Sequence, residues 1–129
     1  MRRILVVEDS GAMRALIGAA LEDLDEKLEV DEAESGFAAL RLLPRTRYDL
    51  IVTDINMPDI NGLELVSFVK RDPRYRETPL LIVSTEGSER DRDKGLALGA
   101  SAYLVKPFVA EELREIVLSL LAGSGPERS

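Results

Sequence analysis

The chain has no cysteine, no histidine and no tryptophan among its 129 residues. The first absence removes disulfides and thiolate metal sites and fits a reducing cytosol. The second removes Ser-His-Asp chemistry, imidazole metal ligands and any phosphohistidine of the chain's own. Aromatic residues make up only 5% of the chain, so a core drawn from its 45% of hydrophobic residues must be aliphatic. Basic charge is in deficit as well: 17 Lys and Arg face 24 Asp and Glu, for a net charge of −7. Nucleic acid and anionic lipid both require a basic face, so neither is expected as a partner. Long apolar runs are missing too. Met1-Arg2-Arg3 leads into Ile4-Leu5-Val6-Val7 and then meets Glu8. That run is too short for a signal-peptide core or a membrane span, so a cytoplasmic protein without membrane insertion is expected.

What is present is organised around Leu50-Ile51-Val52-Thr53-Asp54, a short apolar run that ends in an acid. A polar turn with Pro58 and Gly62 follows. This is the pattern of a buried parallel strand that delivers a carboxylate to the sheet edge where ligands bind. Four other runs read as strands: Ile4–Val7, the weaker alternating Leu28–Ala33, Leu80–Val83 and Ala102–Val105.

Helical spacing connects them. Met13, Leu16, Ile17, Ala20, Leu21 and Leu24 mark a helix from Ala12. Phe37 to Leu43 reads as a short helix with Ser35 as its N-cap, stopped by Pro44. Asn61-Gly62-Leu63-Glu64 resembles a capping box, after which Leu63, Val66, Phe68 and Val69 mark a helix to about Lys70. Ser88 to Leu98 carries a thin apolar stripe and is capped at Gly99. Glu111 to Leu121 places Leu113, Ile116, Val117, Leu120 and Leu121 on one face. Five strand–helix units in strict alternation give an α/β, doubly wound parallel sheet with helices on both faces, in one domain. That domain is expected over residues 1–122, with 123–129 as a flexible tail and no output domain after it.

The strand ends carry the chemistry. The first strand ends in Glu8-Asp9, the third in Asp54, the fourth in Ser84-Thr85 and the fifth in Lys106. Each is expensive to desolvate alone. Together they suit a divalent cation and a phosphoryl group. Mg²⁺ takes hard oxygen ligands and keeps several waters. Asp9 and Asp54 can ligate it directly, Glu8 can hold its waters, and a turn carbonyl near Asn56 can add a third protein ligand. Asp54 can then attack phosphorus, while the metal, Lys106 and Ser84 stabilise charge on the transferred oxygens. Taken singly, each residue has a plain reading: a helix cap, a turn hydroxyl, a surface lysine, a chain breaker. Their coincidence at the same end of different strands favours a site.

As a set, Val6-Val7-Glu8-Asp9-Ser10, Thr53-Asp54-Ile55-Asn56-Met57-Pro58 with Gly62, Ile82-Val83-Ser84-Thr85 and Val105-Lys106-Pro107-Phe108 resemble the response-regulator receiver domain. The likeness covers residues 2 to about 122 and is strongest to the stand-alone, CheY-like chemotaxis type. It implies a flavodoxin-like strand order 2-1-3-4-5. It implies that Asp54 is phosphorylated by a CheA-like histidine kinase, and that Glu8, Asp9, Asp54 and Asn56 hold Mg²⁺. Ser84, Thr85 and Lys106 would bind the phosphoryl group. Tyr103 would be a switch aromatic that turns inward as Ser84 moves; its plain reading is an exposed strand aromatic. The peptide before Pro107 would be cis, and Asn56 and Glu86 would tune dephosphorylation. Output would be a contact with a downstream protein target, through the fourth helix, fifth strand and last helix. Glu8 stands where Asp is frequent and Ser84 where Thr is common; both swaps keep the chemistry.

The resemblance implies a phospho-accepting switch, not an enzyme with steady turnover. Two other readings stand beside it. One is a receiver-like binding module that is never phosphorylated. The other is an aspartyl-nucleophile phosphatase, against which Asn56 counts, because such enzymes resembling the haloacid dehalogenases carry Asp there as general acid.

Overall fold

The computed structural model describes residues 2–24, 27–85, 87 and 89–123. Its elements are β1 (Arg2–Val7), α1 (Gly11–Glu22), β2 (Leu28–Ala33), α2 (Gly36–Leu42), β3 (Leu50–Thr53), α3 (Gly62–Arg71), β4 (Leu80–Ser84), α4 (Glu89–Ala97), β5 (Ala102–Val105) and α5 (Ala110–Gly123). The five strands form one parallel sheet in the order β2-β1-β3-β4-β5. The apolar runs are explained by this sheet, because a central parallel strand is buried on both faces. Along β1, Ile4 and Val6 enter one core layer and Leu5 and Val7 the other. The first layer lies under α1 and α5 and includes Ile17, Leu21, Leu113 and Val117. The second lies under α2 and α3 and includes Ala39, Leu65, Val66 and Val69. α4 joins this second face through Gly95, where an added Cβ would lie 2.7 Å from Ile82 Cδ1. No helix among the described residues is long and apolar enough to cross a membrane.

The caps follow the local sequence. The Ser10 hydroxyl accepts the Met13 N–H, and the Ser35 hydroxyl accepts that of Ala38. The Asn61 and Glu64 side chains complete a reciprocal capping box at the start of α3.

Three details differ from the sequence reading. Pro44 does not stop the chain's helical path. α2 ends at Leu42 and continues as a 3₁₀ turn over Leu43–Arg45, where proline near the first position loses no needed N–H. On α3 the buried residues are Gly62, Leu65, Val66 and Val69. Leu63 is half-buried, and Phe68 is 37% exposed, its ring 6.4 Å from that of Tyr75. The loop formed by residues 72–79 supplies that flank, and spacing along the helix alone does not reveal it. Helix α5 runs through Gly123, inside the stretch expected to fray; residues 124–129 lie outside the described residues.

Candidate functional site

Because all strands are parallel, their carboxyl ends share one edge, and register brings the residues beyond them together. Val7 pairs with Thr53, Thr53 with Ile82, and Ser84 with Val105. The Asp54 N–H donates to the Val7 carbonyl at 3.0 Å, and the Lys106 N–H to the Ser84 carbonyl at 2.8 Å. The Glu8 N–H likewise donates to the Ala33 carbonyl at 3.0 Å, so Glu8, Asp54 and Lys106 are each placed by ladder bonds that extend just past a strand.

Glu8 and Asp54 are only 2% and 6% exposed. Both are held in hydrogen bonds, as buried carboxylates must be. The Ser10 N–H donates to Glu8 Oε2 at 3.1 Å, and the Ile55 N–H to Asp54 Oδ1 at 2.7 Å. Lys106 joins the two acids. Its Nζ donates to Glu8 Oε1 at 2.7 Å and to Asp54 Oδ2 at 3.3 Å. Burial pushes the Glu8 carboxyl above the ordinary carboxylate range, and its bonds from Lys106 and Ser10 offset only part of that rise. For Lys106, burial pulls the ammonium down, but the Glu8 bond and the charges of Asp54 and Glu8 leave it raised overall. It is a charged lysine poised at two acids.

Asp9 is exposed at the mouth of the site, beside Ser10. Carboxylate oxygens of Glu8, Asp9 and Asp54 all lie within 4.8 Å of one another. Such an all-oxygen donor set, with one member open to solvent, fits a hard divalent cation. Asn56 is exposed on the following loop, its N–H 3.4 Å from Asp54 Oδ1. Gly62 allows this loop to return: a Cβ there would lie 2.0 Å from the Asp54 carbonyl oxygen.

Ser84 is fully buried and Thr85 exposed at the end of β4. The Lys106–Pro107 peptide is cis. Tyr103 is 6% exposed and pairs with Ile82, so the exposed-aromatic alternative does not hold. Its ring lies against α4 at Gly95, where an added Cβ would be 3.5 Å from the ring. Glu86 lies outside the described residues.

The sequence reading missed Asp59, whose carboxylate reaches across to α2. Its only sequence signal is an acid in the turn after Pro58. A cavity of about 520 Å³ lies apart from this edge, walled by residues 43–49, 73–75 and 77–79, and it contains none of the site residues.

The chain is similar to known proteins in sequence and in fold. The sequence model of the response regulator receiver domain matches residues 4–118. A chemotaxis protein CheY homolog of Campylobacter jejuni is 39% identical over 125 residues, covering 95% of each chain. Chemotaxis protein CheY1 of Helicobacter pylori is 39% identical over 114 residues, covering 88% of this chain and 91% of that one. Among solved structures, the chemotaxis response regulator CheY4 of Vibrio cholerae superposes with a TM-score of 0.85 at 36% identity, over 93% of this chain and 98% of that one. Response regulator TrrA of Thermotoga maritima, solved in complex with Mg²⁺ and BeF, gives a TM-score of 0.81 at 34% identity, over 93% of this chain and 99% of that one.

Proposed function

The chain belongs to the response regulator receiver domain family, and from that premise we propose that it is a phosphorylation switch with Asp54 as the acceptor. The observation that carries this reading is the buried Asp54 carboxylate at the end of β3, within reach of the Lys106 ammonium and of two further acids. The donor is the phosphohistidine of a partner histidine kinase, since the chain has no histidine. An Asp54 oxygen attacks phosphorus, the P–N bond breaks, and the partner's imidazole leaves with the electron pair and takes up a proton. Water later attacks the aspartyl phosphate, releasing inorganic phosphate and restoring the carboxylate. Glu8, Asp9 and Asp54, with the Asn56 carbonyl, would hold Mg²⁺, which supplies neutralising charge for the transferring oxygens.

The chain's own contribution is positional. Lys106 already faces Asp54 and can follow a phosphoryl oxygen without leaving its place at the sheet edge. Ser84, one strand over, supplies a hydroxyl, and Thr85 follows it at the rim. The added charge draws these groups together and biases the surface of α4, β5 and α5. That surface carries exposed Leu96, Val105 and Leu118, which suit a protein target. Likeness to chemotaxis proteins supports a CheA-like kinase, a downstream motility target and a cytoplasmic setting. Asn56 in place of a second aspartate supports a switch rather than a turnover phosphatase. Asn56 and Glu86 would set the lifetime of the phosphorylated state.

Incubation with acetyl phosphate and Mg²⁺ should label the chain once, and Asp54→Asn should abolish labelling. Undiminished labelling of that variant overturns the assignment. A phosphotransfer profile against the histidine kinases of the source organism then identifies the donor.

A further inference from the structure

Residues 55–61 carry the chain from Asp54 to α3, and this loop is fastened unevenly. Its ends are locked by backbone: the Gly62 N–H donates to the Ile55 carbonyl at 2.8 Å, and Gly62 packs directly on the Asp54 carbonyl. Its middle has no ladder. Between Met57 and Ile60, the hydrogen bonds to another element in the described structure come from one side chain. The Asp59 carboxylate accepts the N–H of Gly36 at 3.1 Å and that of Phe37 at 2.8 Å, at the start of α2. Beside it, Ile60 packs on Gly36, where an added Cβ would lie 2.1 Å from Ile60 Cγ1. Helix α2 already has its own cap in Ser35. The Asp59 contact therefore does more for the loop than for the helix. Backbone amides, Phe37 first, then Ile60, Gly36 and its own, hold the Asp59 carboxyl down at about 2, so it stays ionised and able to accept both α2 bonds throughout the neutral range.

We propose that Asp59 is a positioning residue for the cation site: by pinning the loop to α2, it holds the Asn56 carbonyl ready as a metal ligand. The inference rests on the reading of Glu8, Asp9, Asp54 and Asn56 as the Mg²⁺ holders. Mg²⁺ demands near-ideal octahedral geometry. A loop carbonyl free to swing must be ordered each time the ion arrives, which weakens binding. A loop clamped three residues away is ordered beforehand.

Loss of the Asp59 charge would also weaken cation binding, so the test must separate position from charge. Calorimetric titration of Mg²⁺ into the full chain does so with three variants, each checked for folding by thermal unfolding. Asp59→Ala should weaken Mg²⁺ roughly tenfold, the low end for an outer-shell partner of a metal site. Asp59→Asn should weaken it less, because the amide oxygen keeps one of the two bonds. Gly36→Ala should weaken it comparably, since it displaces Ile60 and the loop without altering charge. The deficits should persist at high salt, where a long-range charge effect is screened. If the wild type binds Mg²⁺ and Asp59→Ala and Gly36→Ala bind equally well, the positioning role is overturned and the cation site stands. A deficit in Asp59→Ala alone that vanishes in salt also overturns it. If the wild type binds no Mg²⁺, the cation reading falls and takes this inference with it.

Discussion

Lys106 is the residue on which the buried charge depends. It stands between Glu8 and Asp54, two acids with almost no access to water. Removing one partner of a buried ion pair leaves the other uncompensated. Lys106→Met should therefore lower stability by about 3 kcal/mol in urea unfolding, and added Mg²⁺ should recover more stability in this variant than in the wild type. The position of Lys106 at a strand end was legible in the sequence. Its bond to Glu8, 98 positions away, was not, because only the sheet register brings them together. Asp59 was hidden for a different reason: its partners are backbone amides, which carry no residue signature. A second residue makes a pH prediction. Burial, then the bond to Asp31 at 2.7 Å, pushes the Tyr48 phenol up to about 12. The folded chain therefore holds this proton more tightly than the unfolded one, whose phenol titrates near pH ~10. Its contribution is complete below about pH 10 and is lost as pH rises through about 12. Across that window the urea midpoint of the wild type should fall more steeply than that of Tyr48→Phe, in which Asp31 keeps its bond from Arg3.

At the scale of elements, α4 differs from the other helices. Gly95 is its one buried residue, and Leu96 is substantially exposed. A helix with so little apolar burial opens at low free energy. Hydrogen exchange should show α4 amides less protected than those of α1 and α5, and a stable phosphoryl mimic should change α4 more than α1. Protection in α4 equal to that of α1 would remove it as the mobile element. The loop before α3 makes the opposite case. Gly62→Ala would set a methyl against the Asp54 carbonyl oxygen, which is backbone and cannot yield. That variant should lose more than about 3 kcal/mol in thermal unfolding. Elements were read well where periodicity and caps agreed, as in β3 and at the capping box of α3. They were read less well where a neighbouring loop decides the outcome. Leu65 and Phe68 are both apolar, but the 72–79 loop leaves one buried and the other on the flank.

At the scale of the molecule, the parallel arrangement separates two tasks. Two aliphatic layers hold the sheet, while the clustered carboxylates gather beyond its carboxyl edge. This separation made the fold and most of the site legible together, since each apolar run points to its own terminal residue. The same open sheet has a less visible consequence for behaviour at high concentration. Unlike a barrel, among the described residues it has two free edges, β2 and β5, and an unpaired strand edge is a template for joining another chain. The β5 edge is four residues long and runs into Pro107. The β2 edge is longer, but it carries Glu29, Asp31 and Glu32 among its six residues, and Arg3 of the next strand bonds to the first two. Addition of a like strand would bring these acids against one another. Replacing Glu29 and Glu32 with valine should therefore produce concentration-dependent association in sedimentation velocity while β1 and β3 remain paired. The charges along β2 act as a guard against self-polymerisation, a task remote from signalling but set by the same strand order.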